Sequence, residues 1–426
     1  MLPQHEREIE IRCPLHGFVK IRDWERDIIN HDAYQRMRRI RQLAWTDQVY
    51  PGAMHTRFEH SLGVVHVATK MFDSLVENSR EFLHNEMNFS DDAIRRDKML
   101  VRLAALLHDV GHSPFSHASE ELFPVLDDVQ LEHEDYSAEI IRRVLNDVID
   151  SHPDSGNYQI KAEDVAAMLD GKSASVSRSL IWRDLITGQL DADRVDYLLR
   201  DSYHAGVDYG RFDWRRVIAC LVFTKTGEES SPRIGLTQGG FHAAEGLVLA
   251  RYFMFTQVYF HKTRVAFDCH LKGALAELLP NAKFPSLTGD GLLEYLKWDD
   301  WRVLGELADG KGGEHGRRLC RRDHYRMIYE TPEIPSASDL DKCAAIREKL
   351  GDLVKHEAKA GKAWYKLTED QDIPIVSENP GAQVLPLSEH SAAVKGLQQT
   401  AKRMLYCLAE EKDAAKRIVQ AIEAKR

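Results

Sequence analysis

The chain has 426 residues and a formal net charge of −10, with 43% hydrophobic and 29% charged residues. This composition is typical of a globular protein and excludes a largely disordered one. No apolar run approaches the roughly 20 residues that a membrane helix needs. The charged start MLPQHEREIEIRC also lacks the apolar segment of a secretion signal, so we expect no membrane association. The modest acidity argues against a broad nucleic-acid-binding face but is compatible with a local basic pocket for phosphates.

Helical patterns dominate the first two thirds of the chain. The segment FEHSLGVVHVATKMFDSLVEN repeats its apolar residues with the helical period. A capping Ser90 begins a second helix, which runs into LVRLAALLHD and ends at Gly111 and Pro114. Two further helices are predicted for DADRVDYLLRDSYHAGV and for the long, largely apolar FHAAEGLVLARYFMFTQVYFHKTRVAFD. Between them, VIACLVFTKTGEESSPRIGLTQ is predicted to form a β-hairpin.

The pattern changes after about residue 280. NAKFPSLTGDG and LADGKGGEHGRR are glycine-rich connectors, and KAWYKLTEDQDIPIVSENPGAQVLPL, interrupted by prolines, is predicted to contain short strands. A charged helix is predicted from about Ser391 to the end. The sequence therefore predicts a mostly α fold, with a helical core and small β-hairpin at residues 1–280 and a smaller α+β lobe at residues 281–426.

The cysteines are scattered along the chain without a Cys-x-x-Cys pair. This arrangement argues against a disulfide framework or a structural zinc site and favours a cytoplasmic location, where thiols stay reduced. The six cysteines are Cys13, Cys220, Cys269, Cys320, Cys343 and Cys407.

Residues suited to binding a metal ion lie on three of the predicted helices. His108 and Asp109 are adjacent at the end of an apolar helix, and His60 lies on the apolar face of its own helix. Asp193 begins a stripe of polar residues spaced by four along one helix face. Imidazole and carboxylate together accept Mn, Fe, Zn or Mg, and this donor set does not select among them.

Each of these residues taken alone has an ordinary explanation, because a single inward histidine is usually a hydrogen-bonded core residue. The density of histidines favours a site. Eight of the 20 histidines fall between residues 55 and 133, about twice the number that an even distribution would place there. We therefore expect a divalent metal ion, held by residues from three helices.

Five motifs follow one another along the chain: HTRFEHSLGV, LLHDVGHSPFSH, EHED, DADRVDYLLRDSYHAGV and ARYFMFTQVYFHK. In this combination they resemble the deoxynucleoside triphosphate (dNTP) triphosphohydrolase branch of the HD phosphohydrolase superfamily, which includes the vertebrate sterile-alpha-motif HD enzyme and bacterial relatives. The resemblance covers about residues 14 to 330. It implies that His60, His108, Asp109 and Asp193 are the metal ligands, and that the reaction converts a dNTP and water to a deoxynucleoside and tripolyphosphate.

The resemblance also implies a set of catalytic residues. A 5′-oxygen that leaves the α-phosphorus is a poor leaving group, so a general acid is needed. His112, His117 and His133 match the histidines that surround the α-phosphate in the family, and imidazole titrates near the working pH. Glu134 and Asp201 are expected to orient them.

Further residues are expected to bind the phosphates and the sugar. Arg57 lies one helical turn before His60, so both can face one site. The tyrosine that matches Tyr197 packs where a 2′-hydroxyl would lie, which favours deoxyribose. The implied substrate-binding residues are Gln42, Leu43, Arg57, Arg194, Tyr197, Arg251 and Tyr259.

One position departs from the family members that GTP activates. They read guanine with an aspartate, whereas Asn30 stands at that position here, in DIINHDAYQRMRRIRQL. Gln35 and Arg38 match the family, and the basic run RMRRIR keeps triphosphate-binding character. We expect a homo-oligomer that is either constitutively active or activated by a dNTP effector, without a strict need for GTP.

Two other functions remain open at this point. The first is another phosphodiester reaction on the same fold, either a single-strand nuclease that binds single-stranded nucleic acid or a nucleotide phosphodiesterase. Neither an HD-x-x-ED run nor a GYP motif is present, which argues against hydrolases of (p)ppGpp and of cyclic dinucleotides. The second is a nucleotide-sensing protein with a vestigial metal site, and the presence of all four ligands argues against it.

Overall fold

A computed structural model describes residues 8–172, 176–225, 231–361, 372–377, 384–397 and 400–424. The predicted mostly α fold is confirmed, and among these residues no helix is both long and apolar enough to cross a membrane. The helices are α1 (Asp23–Ile29), α2 (Asp32–Gln35), α3 (Arg57–Asn78), α4 (Asp91–Leu107), α5 (His133–Arg143), α6 (Asn146–Asp150), α7 (Pro153–Tyr158), α8 (Ala162–Asp170), α9 (Asp184–Thr187), α10 (Ala192–Ala205), α11 (Trp214–Ala219), α12 (Phe241–Met254), α13 (Lys262–Leu278), α14 (Gly291–Leu296), α15 (Asp300–Ala308), α16 (Gly313–Arg321), α17 (Ala337–Leu350), α18 (Leu387–His390), α19 (Ala392–Gly396) and α20 (Lys412–Glu423).

Strands form four small sheets within the described residues. The strands are β1 (Glu8–Cys13), β2 (Gly17–Arg22), β3 (Val125–Leu126), β4 (Val129–Gln130), β5 (Leu221–Thr224), β6 (Arg233–Thr237), β7 (Arg326–Glu330), β8 (His356–Lys359), β9 (Pro374–Val376), β10 (Leu385–Pro386) and β11 (Arg403–Cys407). β1–β2 and β3–β4 are separate antiparallel hairpins. The third sheet has the order β10-β9-β6-β5, with β9 parallel to β6, and the fourth has β11 between β7 and β8.

The predicted β-hairpin after α11 is present. β5 and β6 are antiparallel, and their register pairs Leu221 with Leu236 and Thr224 with Arg233. Its predicted turn falls largely on residues 226–230, which lie outside the described part of the chain. Two of the short strands expected in the proline-interrupted segment are also present, as β9 and β10.

α3 packs against both α4 and α10. α3 begins where the Glu59 carboxylate accepts the Thr56 N–H at 3.1 Å, and α4 begins where the Ser90 hydroxyl accepts the Ala93 N–H at 3.2 Å. The Asp191 carboxylate caps α10 in the same way. These caps satisfy N–H groups that the first turn of a helix leaves unpaired. Two of them also fix the turns that carry His60 and Asp193.

The long apolar helix predicted for FHAAEGLVLARYFMFTQVYFHKTRVAFD is two helices. α12 ends at Met254, a π-helical turn covers Phe255–Tyr259, and α13 begins at Lys262. The side chain of His261 caps α13 by accepting the Thr263 N–H at 3.2 Å. Apolar residues continue through the break because both helices bury one face, so hydropathy alone does not reveal it.

The charged helix at the end of the chain is shorter than predicted. It begins at Lys412 instead of about Ser391, and the residues before it form α19 and β11. Met404 to Cys407 are all buried because β11 is the central strand of its sheet. A short continuous apolar run has the same pattern in a buried strand and in a buried helix, which explains the difference.

The buried apolar residues of the described chain form three clusters, the smallest of which contains Ala266, Ala358, Met404 and Tyr406. The main core surrounds α3, α4 and α10 and also includes Phe284 and Leu319, both beyond residue 280. A smaller core lies between β7, β11, α17 and α20 and includes Ile346 and Leu405. The division of the chain at residue 280 stays a prediction.

Asp300, at the start of α15, holds two loops next to the end of α4. Its buried carboxylate accepts the N–H groups of Arg41 and Phe115, at 2.9 and 2.7 Å. Phe115 has a φ of 59°, which is unusual for an aromatic residue and needs support from its surroundings. The two hydrogen bonds provide that support.

Replacing Asp300 by Ala leaves two buried N–H groups without an acceptor. We expect the free energy of unfolding to fall by roughly 2–5 kcal/mol, as measured by urea denaturation. Asp300→Asn keeps one acceptor oxygen, so its free energy of unfolding should fall by less. Asp309→Ala, on an exposed residue just after α15, should change stability by less than about 0.5 kcal/mol. An Asp300→Ala variant as stable as the unmodified chain would contradict this role.

Candidate active site

The four predicted metal ligands converge in the structure. His60 Nε2 lies 2.9 Å from Asp193 Oδ1 and 3.5 Å from Asp109 Oδ2. His108 Nε2 lies 3.3 Å from Asp109 Oδ1 and 3.7 Å from Asp193 Oδ1. The donor atoms of His60, His108 and Asp109, from α3 and the end of α4, lie within 4.8 Å of one another, and Asp193 of α10 borders this group through its contacts with both histidines.

The hydrogen bonding of His108 fits a metal ligand. Its Nδ1–H donates to the Ala105 carbonyl at 2.8 Å, so Nε2 is the nitrogen that carries the lone pair in the neutral ring. This Nε2 is buried and has no hydrogen-bond partner among the described residues. A buried nitrogen lone pair beside the carboxylates of Asp109 and Asp193 is the donor set of a divalent cation.

The carboxylates at this point are held in their ionised forms, and a cation bound by His60 would replace the proton on its Nε2. Burial would lower the pKa of His60, but hydrogen bonds to Asp193 and Asp196 raise it to about 10. Burial would raise the pKa of Asp109, yet the Arg57 guanidinium holds it well below its usual range. Burial is likewise outweighed at Asp193, whose pKa is lowered by the two histidines. The carboxylates are thus available as anionic ligands at any physiological pH.

A second cluster of ionisable groups lies next to the first. Its centre is Glu120, whose Oε1 lies 2.8 Å from His117 Nδ1 and 2.7 Å from His133 Nδ1. The rings of His112 and His133 stack at 3.7 Å, and His112 Nε2 lies 3.2 Å from Asp109 Oδ1. His112 thus connects this histidine cluster, which consists of His112, His117, Glu120 and His133, to the proposed ligands.

The β3–β4 hairpin lies in the chain between Glu120 and His133. Asp127 and Asp128 form its turn, with φ angles of 50° and 63°. Its base is closed by a hydrogen bond from the Leu131 N–H to the Pro124 carbonyl at 3.1 Å. The hairpin therefore joins the two halves of the histidine cluster through an anchored loop.

The two carboxylates expected to orient the catalytic histidines differ in their contacts. Glu134 Oε2 lies 3.1 Å from His133 Nδ1, within the expected group. Asp201 instead accepts hydrogen bonds from His55 Nε2 and from the Tyr259 hydroxyl, both at 2.7 Å. The structure thus groups Asp201 with a substrate-binding candidate.

The predicted phosphate-binding arginines are held by carboxylates. Arg57 is buried, donates to Asp109 Oδ2 at 2.7 Å, and donates to the Ser116 hydroxyl at 2.9 Å. Arg194 forms an ion pair with Asp191, the residue that caps its own helix. Both guanidinium groups are therefore fixed before any phosphate binds.

The remaining substrate-binding candidates border the same region. The rings of Tyr197 and Tyr259 meet edge to face, with centroids 6.2 Å apart. Burial raises the pKa of Tyr197, and the nearby charges of Arg251 and Arg194 oppose that rise. The structure thus brings two arginines and two tyrosines together.

Gln42 and Leu43 are buried on a neighbouring loop. The backbone N–H of Gln42 donates to the His55 carbonyl at 3.0 Å. Its Oε1 is buried without a hydrogen-bond partner in the part of the chain that the structure describes. A free acceptor of this kind is suited to a hydroxyl donor on a ligand.

The segment expected to bind an effector is not one helix. α1 ends before Asn30, and residues 36–39 form a 3₁₀ turn. Arg36 is fully buried and donates to a backbone carbonyl, so it is a structural residue. Arg38 stacks over the Phe58 ring at 3.4 Å and donates to Gln35 Oε1.

Two residues of the site were missed by the sequence analysis. Glu120 follows His117 by three residues, but it lies in a 3₁₀ segment without helical periodicity. Asp196 follows Asp193 by one turn of α10 and contacts the other nitrogen of His60, at 2.9 Å. The helical spacing of Asp196 was a usable signal, whereas Glu120 had none.

Two family models match the chain: the HD domain over residues 57–198 and the HD associated region over residues 212–350. The chain is 30% identical to the uncharacterized protein YwfO of Bacillus subtilis, over 92% of this chain and 90% of that protein. It is also 30% identical to the deoxynucleoside triphosphate triphosphohydrolase SAMHD1 of Gallus gallus, over 92% of this chain and 69% of that protein.

A solved structure has the same fold. The crystal structure of a hypothetical protein from Aquifex aeolicus matches with a TM-score of 0.78 at 27% identity, covering 97% of this chain and 100% of the other. The fold and the paired HD regions define an HD-domain protein. The chain belongs to the HD phosphohydrolase family, in which YwfO and the chicken SAMHD1 are relatives.

Glu120→Gln should lower the pKa of His133. Burial lowers that pKa, but the hydrogen bond to Glu120 and the charge of Glu134 raise it above the ordinary value. The protonated His133 therefore stabilises the fold at acid pH, and this contribution is lost as pH rises through its folded-state pKa. In Glu120→Gln this stabilising contribution of His133 should be lost at a lower pH than in the unmodified protein. The measurement is an NMR titration of the histidine ring protons, with the exposed Glu121→Gln as control. An unchanged titration of His133 in Glu120→Gln would refute the assignment.

Proposed function

We propose that the chain is a metal-dependent dNTP triphosphohydrolase, which converts a dNTP and water to a deoxynucleoside and tripolyphosphate. One observation carries the proposal: the donors of His60, His108, Asp109 and Asp193 converge beside a separate cluster of three histidines and a glutamate. Membership of the HD phosphohydrolase family supports the reaction class. The activity in the name of the chicken relative supports the choice of substrate.

The four converging residues are the proposed ligands of the ion. A divalent ion held there would supply a Lewis acid for a phosphoryl oxygen. Asp193 is the ligand most open to solvent, with 32% of its side chain exposed, whereas His60 and Asp109 are almost completely buried. A phosphate would therefore approach from the side of Asp193.

The histidine cluster is the proposed source of the proton for the leaving 5′-oxygen. His117 is its most accessible member, with 54% of its side chain exposed, while His112 is fully buried. Glu120 holds the His117 ring in place through Nδ1, which leaves Nε2 to face a ligand. We assign His117 as the general acid, and Glu120, His133 and Glu134 as residues that position it.

The arginines and tyrosines are the proposed binding surface for the nucleotide. Arg194 and Arg251 would bind the phosphates, because both lie near Tyr197 on the side of Asp193. Tyr197, Tyr259 and Asp201 would face the sugar. In this arrangement the ring of Tyr197 would exclude a 2′-hydroxyl on steric grounds.

Assembly and regulation belong to the same proposal. We propose a homo-oligomer whose activity does not require GTP, because Asn30 lacks a carboxylate for the guanine N–H groups. The buried Arg36 is not available to a triphosphate, so an effector dNTP would meet Arg38 and Gln35.

The decisive experiment is hydrolysis of each dNTP with Mn, Fe, Mg or Zn, with and without GTP, and with single-stranded DNA in parallel. We expect a deoxynucleoside and tripolyphosphate, resolved by ion-exchange chromatography, and one metal ion per chain by elemental analysis. Asp109→Ala should lose the metal and all hydrolysis. Asp97→Asn, at an equally buried aspartate that bonds Ser179 and Trp182, should keep both.

Other results would redirect the assignment. DNA cleavage without release of tripolyphosphate would indicate a nuclease. Two metal ions per chain would indicate that the histidine cluster binds an ion instead of supplying a proton. Full metal content in Asp109→Ala would show that the ligand assignment is wrong.

A preference for deoxyribose follows from the position of Tyr197. We expect kcat/KM for dATP to exceed that for ATP by about 100-fold or more, since a hydroxyl has to be accommodated against a packed ring. Tyr197→Ala should narrow the ratio mainly by raising the activity on ATP. Tyr203→Ala, at an exposed tyrosine on the same helix, is the matched control and should leave the ratio unchanged. Equal kcat/KM for ATP and dATP in the unmodified protein would count against this role.

A further inference from the structure

A buried network lies behind His60, on the side away from the proposed ion. Asp196 accepts a hydrogen bond from His60 Nδ1 at 2.9 Å and from His16 Nε2 at 2.6 Å. It also accepts two from Arg200, at 2.8 and 2.9 Å. The side chains of His16, His60, Asp196 and Arg200 have no exposed surface.

Asp196 is placed to act through His60 and not on a substrate. The two nitrogens of the His60 ring face opposite partners: Nδ1 faces Asp196, and Nε2 faces Asp193 and Asp109. A carboxylate that accepts the Nδ1–H fixes the ring orientation and leaves the Nε2 lone pair for a cation. It also increases the electron density that Nε2 donates.

The position of Asp196 is fixed from three directions. Arg200, one turn further along α10, binds both of its oxygens. His16 reaches it from the β1–β2 turn and stacks on His66 at 4.9 Å. On the third side lies Gly63 of α3, where an added Cβ would overlap the Asp196 carboxylate. The helices approach closely enough for the His60 contact only because this residue is glycine.

We propose that Asp196, held by Arg200 and by His16 of the N-terminal hairpin, is the positioning residue of the metal ligand His60. The hairpin is then part of the metal centre, although it is about 180 residues from Asp196 in sequence. This inference rests on the proposed metal site but not on the identity of the substrate. Removing the carboxylate should weaken metal binding even though all four ligands remain.

The test compares variants of the full chain for metal affinity and for the visible spectrum of the Co(II)-loaded protein. Asp196→Asn keeps the shape of the side chain but loses its charge. We expect metal affinity, measured by chelator competition, to fall by about 10- to 100-fold, with a shift of the Co(II) absorption bands. His16→Gln keeps the Asp196–His60 contact but removes one of the residues that hold Asp196. It should therefore lower the metal affinity and shift the Co(II) bands in the same direction as Asp196→Asn, but by a smaller amount.

Asp97→Asn is the control for a general loss of stability. Asp97 is also buried, yet its partners Arg96, Ser179 and Trp182 lie outside the network. This variant should lower the midpoint of unfolding without changing the metal affinity or the Co(II) spectrum. The same loss of affinity in Asp97→Asn and Asp196→Asn would overturn the proposal.

An Asp196→Asn protein with unchanged affinity and spectrum would also overturn it. If that variant does not fold, His16→Gln decides, and an unchanged Co(II) spectrum there refutes the positioning role. Failure of the proposed function is a separate result. It would appear as metal retained by Asp109→Ala, or as the absence of tripolyphosphate from a fully loaded protein.

Discussion

Three carboxylates share the interior around His60, and their charge has to be balanced there. An ionised aspartate that is buried without a partner costs several kcal/mol, and removing one partner of a buried pair costs a similar amount. Each carboxylate has its own set of charged or polar partners. Arg200 and His16 pair with Asp196, whereas Arg57 forms an ion pair with Asp109. Among the described residues, Asp193 is paired with the two histidines, and part of its surface is open to solvent.

The three carboxylates therefore differ in role: the charge of Asp196 stabilises the structure, whereas the charges of Asp109 and Asp193 are available to a ligand. The Asp196 carboxylate is fully paired, so it contributes rigidity and does not attract a further cation. Asp109 and Asp193 both contact His60 and His108 and have less compensation, and a divalent ion would supply the charge that balances them. The same arrangement explains why Arg57 is buried: its primary partner is a protein carboxylate.

The sequence was sufficient where a single helix determined the geometry. The apolar period of α3 predicted that His60 points inward, and the ends of α4 and α10 bring the other proposed ligands close to it. Asp201 shows the limit of this reasoning. It shares a helix face with Asp193 but lies two turns further along, about 12 Å along the axis, so it meets His55 and Tyr259 instead. His16 gave no signal, because its contact with Asp196 depends on tertiary packing alone.

The same limit applies to the fold. Periodicity predicted α3, α4 and α10, since each buries one face along its whole length. It did not show the π-helical turn at Phe255–Tyr259 or the strand β11, because apolar residues continue through both. Local sequence determines which face of an element is buried, whereas the packing partners determine where that element ends or changes type.

The β3–β4 hairpin has a consequence for how this family can diversify. Its base is closed by the Pro124–Leu131 hydrogen bond, its strand residues Val125 and Val129 are 56% and 64% exposed, and Asp127 and Asp128 at its tip are also exposed. The tip can therefore change in length and chemistry while the base keeps Glu120 and His133 in register. A new recognition surface could therefore be added at this hairpin, by evolution or by grafting a peptide, without changing the histidine cluster.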